Sequence, residues 1–466
     1  MLPVWQRTFV VGADVVDNFC QVAQQGAEAD QPNDGERQQQ HKNSHFGQFA
    51  QPITVAEYSC EGAYNGHGCI PVFCYGFSIS LKVILTGFNL DATFSSRNGQ
   101  DGRMRAGYTG RSAGVQSRQT QAQPLTNMMY PILRRIFPAG AAPAQAQRIV
   151  ILRPCCIGDV VMATAALSAL RASFPSAHIS FAAGDWSARA IAGHPALDDI
   201  LDTGTDMPTR SLGGFWRLVR RLRMGRYDLA VSLVRSPVMS LALWLARISL
   251  RAGLDSGGRG FGYNLRVAVD PAALEHEAEI YLRVVGAVGG RKAHTYANLP
   301  VAESAGASVW ERLRAAGIDK AYIVAHPGGG SNPGAQRTAK QYPPAQLAAL
   351  LDTLVQATDS ELILLGGPDD SELVAAVAGH LQASAQQWAG ALSFAEIGAL
   401  AAGARLYIGN DSGLTHLAAA SGAKTVMLML VTDPRRYAPW SPDSLALHKP
   451  DSPASAAQEI LAWLAS

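Results

Sequence analysis

The sequence predicts an α/β protein built from two Rossmann-like domains that face each other across a cleft. After residue 147, short apolar runs suited to buried strands alternate steadily with longer segments that have the period of amphipathic helices. This alternation runs through once, is interrupted near residues 300–306, and then starts again. Two successive series of this kind are typical of two doubly wound domains, each with a parallel sheet.

The first series begins with a strand in the apolar run RIVIL. Its predicted strands cover residues 149–152, 178–182, 199–201 and 229–233, and its predicted helices cover 159–173, 217–223 and 237–250. The second series has predicted strands over 322–326, 361–365, 406–408 and 425–430, with helices over 344–358, 394–403 and 414–421. A last predicted helix, over 456–464, fits against either domain.

Residues 1–127 show no such alternation. They are rich in polar residues and glycine, and only residues 70–90 have the apolar pattern of a strand or short helix. We therefore expect a disordered extension over 1–127 and domains over 128–303 and 304–466. Our hypothesis is that Met128 or Met129 is the true start of the protein; the alternative is a poorly ordered regulatory extension.

The bulk composition excludes several classes of protein. The chain has 466 residues, is 48% hydrophobic and carries a net charge of +2, which indicates a folded protein of two or three domains without a nucleic-acid partner. Its six cysteines form no CxxC pair and no zinc-binding pattern, and the adjacent Cys155 and Cys156 have poor geometry for a disulfide with each other. We expect a reducing, cytoplasmic location. The apolar run over 238–254 is interrupted by Arg247 and Arg251, so neither a membrane span nor a secretory signal is predicted.

Three loops that follow predicted strands contain candidate catalytic or ligand-binding residues. The first is R-P-C-C-I-G-D, residues 153–159, where Gly158 permits a tight turn and Asp159 falls at the start of a helix. From the residues alone, Asp159 is either a helix N-cap or a carboxylate at the cleft that takes a proton from an acceptor hydroxyl.

The second loop is H-P-G-G-G-S-N-P-G-A-Q-R-T-A-K-Q-Y-P, residues 326–343. Its glycines allow backbone amides to approach an anion, and Lys340 is a candidate counter-charge. The loop matches neither the Walker A motif nor the G-x-G-x-x-G motif of dehydrogenases, and a flexible surface loop is the alternative interpretation.

The third loop is G-N-D-S-G-L-T-H, residues 409–416, at a predicted helix N-terminus, where backbone amides and the helix dipole favour a phosphate. His416 lies one turn inside this helix. The alternatives are ordinary capping by Asp411 and Ser412, and a core histidine satisfied by a neighbour.

Taken in order, these segments resemble the glycosyltransferase group that contains the ADP-heptose:lipopolysaccharide heptosyltransferases, over residues 148–445. The opening strand and R-P-C-C-I-G-D loop are similar to the family's R-P-x-x-[LI]-G-D segment, and residues 326–343 resemble its Gly-rich loop ending in K-x-[WY]-P. The segments RAGLDSGGRGFGYNLRV and HEAEIYLRVVGAVG resemble its linker region, and LYIGNDSGLTHLAAASGAKTVMLM resembles its [ND]-[DT]-S/T-G-x-x-H signature.

The resemblance implies a GT-B fold and an inverting, metal-independent transfer of a sugar, a heptose, from an ADP-linked donor to a lipopolysaccharide or other cell-envelope glycan. It places the acceptor on the domain over 128–303 and the nucleotide sugar on the domain over 304–466, and it implies no cofactor. In this reading Asp159 is the general base. The implied donor-binding residues are Lys340, Asp370, Asp411, Ser412, Gly413 and His416.

Some assignments stay open. Asp370 is our first choice for the acidic residue that holds the donor ribose, and Glu372 is the alternative. Where many heptosyltransferases have a small polar pair, this chain has Cys155 and Cys156, which leaves the acceptor and the heptose undecided. The chain contains no D-x-D pair, the metal-binding device of the other large transferase fold.

Two rival functions, and two interpretations of a run of basic residues, stay open. The rivals are a nucleotide-sugar epimerase and a non-catalytic nucleotide-sugar-binding protein of the same fold. The basic run is a solvated helix face or a contact for an anionic acceptor or the inner face of the cell membrane; it comprises Arg217, Arg220, Arg221, Arg223 and Arg226.

Overall fold

The structure is a computed structural model, and it describes residues 79–85, 88–94, 137, 139–141, 145–204, 208–290, 295–329, 331–332, 335–336 and 338–466. Of residues 1–127, the structure describes only two strands. The expected disorder of this segment and the hypothesis on the start of the protein therefore lie outside the described residues. These strands, β1 (Ile79–Leu85) and β2 (Phe88–Phe94), pair in antiparallel fashion, and β1 lies within the 70–90 region that the sequence singles out.

The first large sheet has six parallel strands in the spatial order β5-β4-β3-β6-β7-β8. The strands are β3 (Arg148–Leu152), β4 (His178–Ala183), β5 (Asp199–Asp202), β6 (Leu229–Ser232), β7 (Leu250–Asp255) and β8 (Leu265–Ala268). The helices around them are α1 (Ile157–Met162), α2 (Thr164–Ser173), α3 (Asp185–Ala188), α4 (Leu212–Met224), α5 (Pro237–Leu245) and α6 (Glu277–Ala287).

The run RIVIL forms the middle strand of this sheet because it is apolar on both faces. Ile149 and Ile151 point into the core on one side of the sheet, Val150 and Leu152 point into the core on the other, and all four are completely buried. A strand covered by helices on both faces is expected to be apolar throughout.

The second sheet also has six parallel strands, in the order β13-β12-β9-β14-β15-β16. The strands are β9 (Tyr322–His326), β12 (Glu361–Gly366), β13 (Ala385–Ala389), β14 (Leu406–Asn410), β15 (Thr425–Met429) and β16 (Ser444–His448), with the small pair β10 (Ser331–Asn332) and β11 (Ala335–Gln336) in the Gly-rich loop. The helices are α7 (Glu303–Ala315), α8 (Pro344–Thr358), α9 (Ser371–Ala378), α10 (Phe394–Ala402), α11 (Gly413–Ala420), α12 (Pro434–Tyr437) and α13 (Pro453–Ala465).

Both sheets have the strand order 3-2-1-4-5-6 of the Rossmann fold, so the α/β prediction is confirmed. In such sheets ligands bind at the carboxyl ends of the strands where the order reverses, beside the first strand. These reversal points lie between β3 and β6 in one sheet and between β9 and β14 in the other. The three loops singled out from the sequence follow β3, β9 and β14.

Several predicted boundaries were wrong. The helix predicted over 237–250 ends at Leu245, and Leu250 begins β7. A left-handed backbone at Arg247 (φ 61°) separates the two elements, and a single arginine within a largely apolar run did not by itself indicate this break. The helix predicted over 159–173 begins at Ile157 and divides at Ala163 into α1 and α2. Within the described ranges, no helix is both long and apolar enough to cross a membrane.

Residues 438–440, which belong to the second α/β domain, contact the first domain near its helix α6. The imidazole of His276 stacks on the indole of Trp440 with 4.5 Å between ring centres, and its Nε2 lies 2.9 Å from the carbonyl oxygen of Ala438. The backbone amide of Ala297 donates to the carbonyl of Trp440. Helix α13 packs on the second sheet, since Ala456 and Ile460 are buried in the core beneath it.

Candidate active site

The two α/β halves meet where the R-P-C-C-I-G-D loop contacts the loop after β14. A Cβ atom placed on Gly158 would lie 2.7 Å from Cδ2 of His416, and one placed on Gly413 would lie 2.6 Å from Cβ of Ile157. Contacts this short leave room only for a hydrogen atom. Glycine at both positions therefore allows the start of α1 to pack directly on the start of α11, which brings the proposed base and the proposed diphosphate loop together.

From this close approach we predict how a substitution at Gly413 changes the stability of the protein. Replacing Gly413 with Ala should lower the stability of the protein by about 1–3 kcal/mol, because the added methyl group overlaps Ile157 and the backbone of the opposite loop. Differential scanning calorimetry would show this as a lower Tm. Gly213→Ala is the matched control, since a Cβ on that helical glycine meets nothing within 4 Å and Ala favours a helix. Equal Tm values for the two variants would contradict the packing argument.

Asp159 does not cap a helix. Helix α1 begins two residues earlier, at Ile157, and its N-cap is Cys156. The Asp159 carboxylate instead lies 2.5 Å from a guanidinium nitrogen of Arg153, and the hydroxyl of Tyr281 donates to its Oδ1 over 3.3 Å. Burial alone would lower the pKa of Arg153, but the surrounding acidic groups together, with Asp159 first among them, raise it above its usual value. The carboxylate is one-fifth exposed, so it is held in place but is accessible from the cleft.

Lys340 and Asp411 form an ion pair beside the diphosphate loop. The ammonium nitrogen of Lys340 lies 2.7 Å from Oδ2 of Asp411, and both side chains are largely buried. The hydroxyl of Thr432 donates to the same carboxylate oxygen. Asp411 therefore holds the lysine in place and does not cap α11.

The N-cap of α11 is Ser412, as the capping interpretation expected, and its Oγ accepts from the amide of Thr415. The same Oγ lies 3.2 Å from Nδ1 of the buried His326. On its other side, Nε2 of His326 lies 3.3 Å from Oδ2 of Asp370. Asp370, His326 and Ser412 thus form a hydrogen-bonded chain that ends at the diphosphate loop.

Asp370 is committed to this chain through one oxygen. Oδ2 accepts from the amide of Gly367 as well as contacting His326, and both carboxylate oxygens lie against the Cα of Gly328. Burial would raise the pKa of the Asp370 carboxyl, but the hydrogen bond and charge of His326 and the hydrogen bond from the amide of Gly367 together lower it overall. Glu372, the alternative from the sequence, is exposed in the first turn of α9.

His416 is buried but is not a satisfied core histidine. Its imidazole is 5% exposed, and its Nδ1 has no hydrogen-bond partner among the residues that the structure describes. Burial lowers its pKa to about 4, so the ring is neutral at pH 7. An unpaired buried donor or acceptor is costly in a folded protein and commonly marks a ligand position.

Sequence reasoning missed four residues that organise this site. Arg153 and His326 stand at the start of the quoted loops, yet nothing in their spacing identifies their partners. Asn410 donates from Nδ2 to the carbonyl of Pro327 and accepts from the amide of Tyr342, so it ties the Gly-rich loop to β14. Tyr281 is 122 residues from Asp159, and no local pattern could have linked them.

Comparisons with known proteins identify the family of the chain. Residues 215–462, more than half of the 466-residue chain, match glycosyltransferase family 9 (heptosyltransferase). Lipopolysaccharide heptosyltransferase 3 of Escherichia coli is 25% identical over 297 residues, which cover 61% of this chain and 84% of that protein. Lipopolysaccharide heptosyltransferase 2 of Escherichia coli K12 is 27% identical over 309 residues, with coverages of 64% and 84%.

Solved structures show the same fold. A glycosyl transferase family 9 protein from Veillonella parvula has a TM-score of 0.58 at 20% identity and covers 69% of this chain and 91% of its own. E. coli ADP-heptose LPS heptosyltransferase II has a TM-score of 0.57 at 23% identity, with coverages of 68% and 99%. E. coli heptosyltransferase WaaC with ADP has a TM-score of 0.56 at 17% identity, with coverages of 68% and 100%. The predicted GT-B fold is thus confirmed, and the chain belongs to glycosyltransferase family 9, the heptosyltransferase family, as a glycosyltransferase.

Proposed function

We propose that this glycosyltransferase moves a heptose from ADP-heptose to a hydroxyl of a lipopolysaccharide or other cell-envelope glycan. The observation that carries the proposal is the contact between the Asp159 loop and the loop of Asp411, Ser412 and Gly413. It puts a carboxylate next to a helix N-terminus suited to a diphosphate. The names of the relatives, lipopolysaccharide heptosyltransferases, and the solved relative with ADP support the choice of donor and acceptor.

The proposed chemistry is a single in-line displacement at the anomeric carbon, with inversion. Asp159 takes the proton of the acceptor hydroxyl as its oxygen attacks, and the bond from the anomeric carbon to the diphosphate breaks on the opposite side. Arg153 and Tyr281 contact the carboxylate from the protein side, so their role is to orient it. Proximity and orientation of this kind lower the barrier by holding the reacting atoms in line.

We propose that protein groups alone neutralise the leaving diphosphate, so that no metal is needed. Lys340 supplies a full positive charge, and the backbone amides at the start of α11 supply partial ones. His416, with its unpaired nitrogen, completes the donor site. Transfer that continues undiminished in EDTA would support this proposal, and a requirement for Mg²⁺ would overturn it.

For the donor ribose, we propose Glu372 in preference to Asp370. Asp370 faces His326 and the amide of Gly367, so its contribution to donor binding runs through His326 to Ser412. Glu372 is exposed two residues further along the same segment. A larger rise in KM for the donor in Glu372→Gln than in Asp369→Asn, the matched change at a neighbouring exposed acid, would support Glu372, and equal KM values would contradict it.

We propose that the working enzyme binds peripherally to the cytoplasmic face of an anionic membrane. Helix α4 has the surface that such a contact needs. Its inner residues are buried, whereas Leu212, Trp216 and Met224 are 82%, 56% and 69% exposed. Arginines lie on the same exposed surface, and the helix contains no acidic residue. Exposed apolar and basic side chains on one helix are typical of segments that bind at a membrane interface.

This membrane proposal predicts the effect of removing charge from α4. Replacing Arg217, Arg220 and Arg223 with Gln should weaken binding to phosphatidylglycerol-containing vesicles on the order of 100-fold, since each basic residue near an anionic surface contributes about 1 kcal/mol. Vesicle sedimentation measures the change. The matched control is α7, with Arg312→Gln and Arg314→Gln, because that helix also exposes arginines and a tryptophan but carries glutamates. Equal losses in both variants would contradict a specific role for α4.

The proposed function is tested with the full chain and a panel of nucleotides. Thermal stabilisation by ADP over UDP and GDP is expected, followed by transfer from ADP-heptose to a heptose-deficient lipopolysaccharide core. NMR of the product should show the anomeric configuration opposite to that of the donor. Stabilisation by UDP or GDP alone, or transfer of another sugar, would overturn the ADP-heptose assignment.

A further inference from the structure

The loop that carries Asp159 also carries two adjacent thiols that the transferase mechanism does not use. Cys155 and Cys156 lie between β3 and α1, and their Sγ atoms are 2.7 Å apart. Cys155 is 7% exposed, whereas Cys156 is partly exposed. Cys156 is therefore the more accessible of the two residues, and the sulfur of Cys155 lies next to its own.

The surroundings of Cys156 suit a reactive thiol. The guanidinium of Arg153 interacts electrostatically with Cys156 as well as with Asp159. Reactive cysteines typically occupy partly exposed positions beside a positive charge, and redox-sensing cysteines commonly have a second thiol within reach to complete a disulfide. Both conditions are met within residues 153–156.

The backbone explains why a bond between these sulfurs would be labile. Adjacent Cα atoms are about 3.8 Å apart, below the usual range of about 4.4–6.8 Å for a disulfide. Cys156 also has a left-handed backbone (φ 73°), which is strained for a residue other than glycine. Strained disulfides are easily reduced and are the ones found in regulatory roles. The poor geometry expected from the sequence thus favours a reversible bond.

We propose that Cys155 and Cys156 form a modification site for hydroperoxides, which convert the two thiols into a vicinal disulfide. The Cys156 thiolate attacks a peroxide oxygen, the O–O bond breaks, and Cys156 becomes a sulfenic acid as hydroxide or alkoxide leaves. Cys155 then attacks the Cys156 sulfur, and the hydroxyl leaves as water with the proton of the Cys155 thiol. Two thiols lose two electrons in total, and the peroxide gains them.

The disulfide would disturb the site through α1. Cys156 is the N-cap of α1, and the next two residues pack against Gly413 and His416. Closing the ring changes the backbone at Cys156 and shifts these contacts. Under the proposed function, the oxidised protein should lose roughly 10–100-fold in kcat/KM for transfer, since small displacements of reacting groups have effects of that size.

The test treats the reduced full chain with hydrogen peroxide, alkylates the remaining thiols and maps the peptides by mass spectrometry. The peptide with both cysteines should be two hydrogens lighter and unalkylated, and dithiothreitol should restore it. Cys20, Cys60, Cys69 and Cys74 provide internal references in the same digest. With dimedone present, Cys155→Ser should accumulate an adduct at Cys156, and Cys156→Ser should form much less at the buried Cys155.

The outcomes separate this proposal from the proposed function. Alkylation of both thiols after peroxide treatment, direct oxidation to sulfinic acids, or disulfides with other cysteines would each overturn the dithiol proposal, whatever the enzyme transfers. If the disulfide forms and dithiothreitol reverses it while no sugar nucleotide is turned over, the dithiol proposal stands and the transferase assignment fails. The activity of each variant is compared between its own reduced and oxidised forms.

Discussion

Asp159→Asn is expected to lower kcat for sugar transfer by about 10²–10⁴-fold, the range that a general base contributes, while ADP still binds. Asn keeps the shape of the side chain but cannot take the proton of the acceptor hydroxyl. ADP affinity should be preserved because the proposed diphosphate ligands lie on the opposite loop. The measurements are steady-state transfer and calorimetric titration with ADP.

A structural role for the Arg153–Asp159 ion pair has to be separated from catalysis. Both side chains are about one-fifth exposed, so Asn leaves a largely buried guanidinium without its carboxylate and should lower Tm. The double variant Asp159→Asn with Arg153→Met removes both charges. It should recover Tm but not kcat. Asp359→Asn, an exposed charge change at the end of α8, is the control. Turnover near that of the wild type in Asp159→Asn would refute the base assignment.

The fold was predictable because the strands beside the reversal points are apolar on both faces and the helices between them are amphipathic. The same physics explains the errors. Edge strands β8, β13 and β16 are partly exposed and include polar residues, so they lack the continuous apolar run that identifies β3. Only residues 246–249 separate α5 from β7, and an arginine in a largely apolar run does not reveal the left-handed backbone that divides the two elements at Arg247.

The candidate site was predictable to the level of loops but not of partners. Asp159, Lys340 and the α11 loop follow strands whose carboxyl ends had to face the cleft. Their pairings join residues far apart in the chain: Lys340 with Asp411 over 71 positions, and His326 with Asp370 over 44. Periodicity reports only on neighbours along the chain. The resemblance left Asp370 as first choice and Glu372 as alternative for the ribose, because spacing along the chain does not show that the Asp370 carboxylate contacts His326.

Lys340→Met is expected to weaken ADP binding and raise KM for the donor by about 10–100-fold, because a hydrogen bond between charged groups contributes about 1.5–3 kcal/mol. Two effects combine in this variant. The diphosphate loses its cation, and the carboxylate of Asp411, 8% exposed, is left near it without a counter-charge. Isothermal titration with ADP and donor kinetics measure the change.

Removing both charges distinguishes these two effects. In Lys340→Met with Asp411→Asn, the repulsion between Asp411 and the diphosphate is gone, so ADP affinity should recover in part. The value of kcat should not recover, because the lysine supplies the one full positive charge proposed to neutralise the leaving diphosphate in the transition state, and the backbone amides supply only partial charges. Lys320→Met with Asp359→Asn is the matched control, an exposed pair with N–O distance 3.1 Å on the same domain. ADP affinity in Lys340→Met equal to that of the wild type would show that the lysine does not bind the diphosphate.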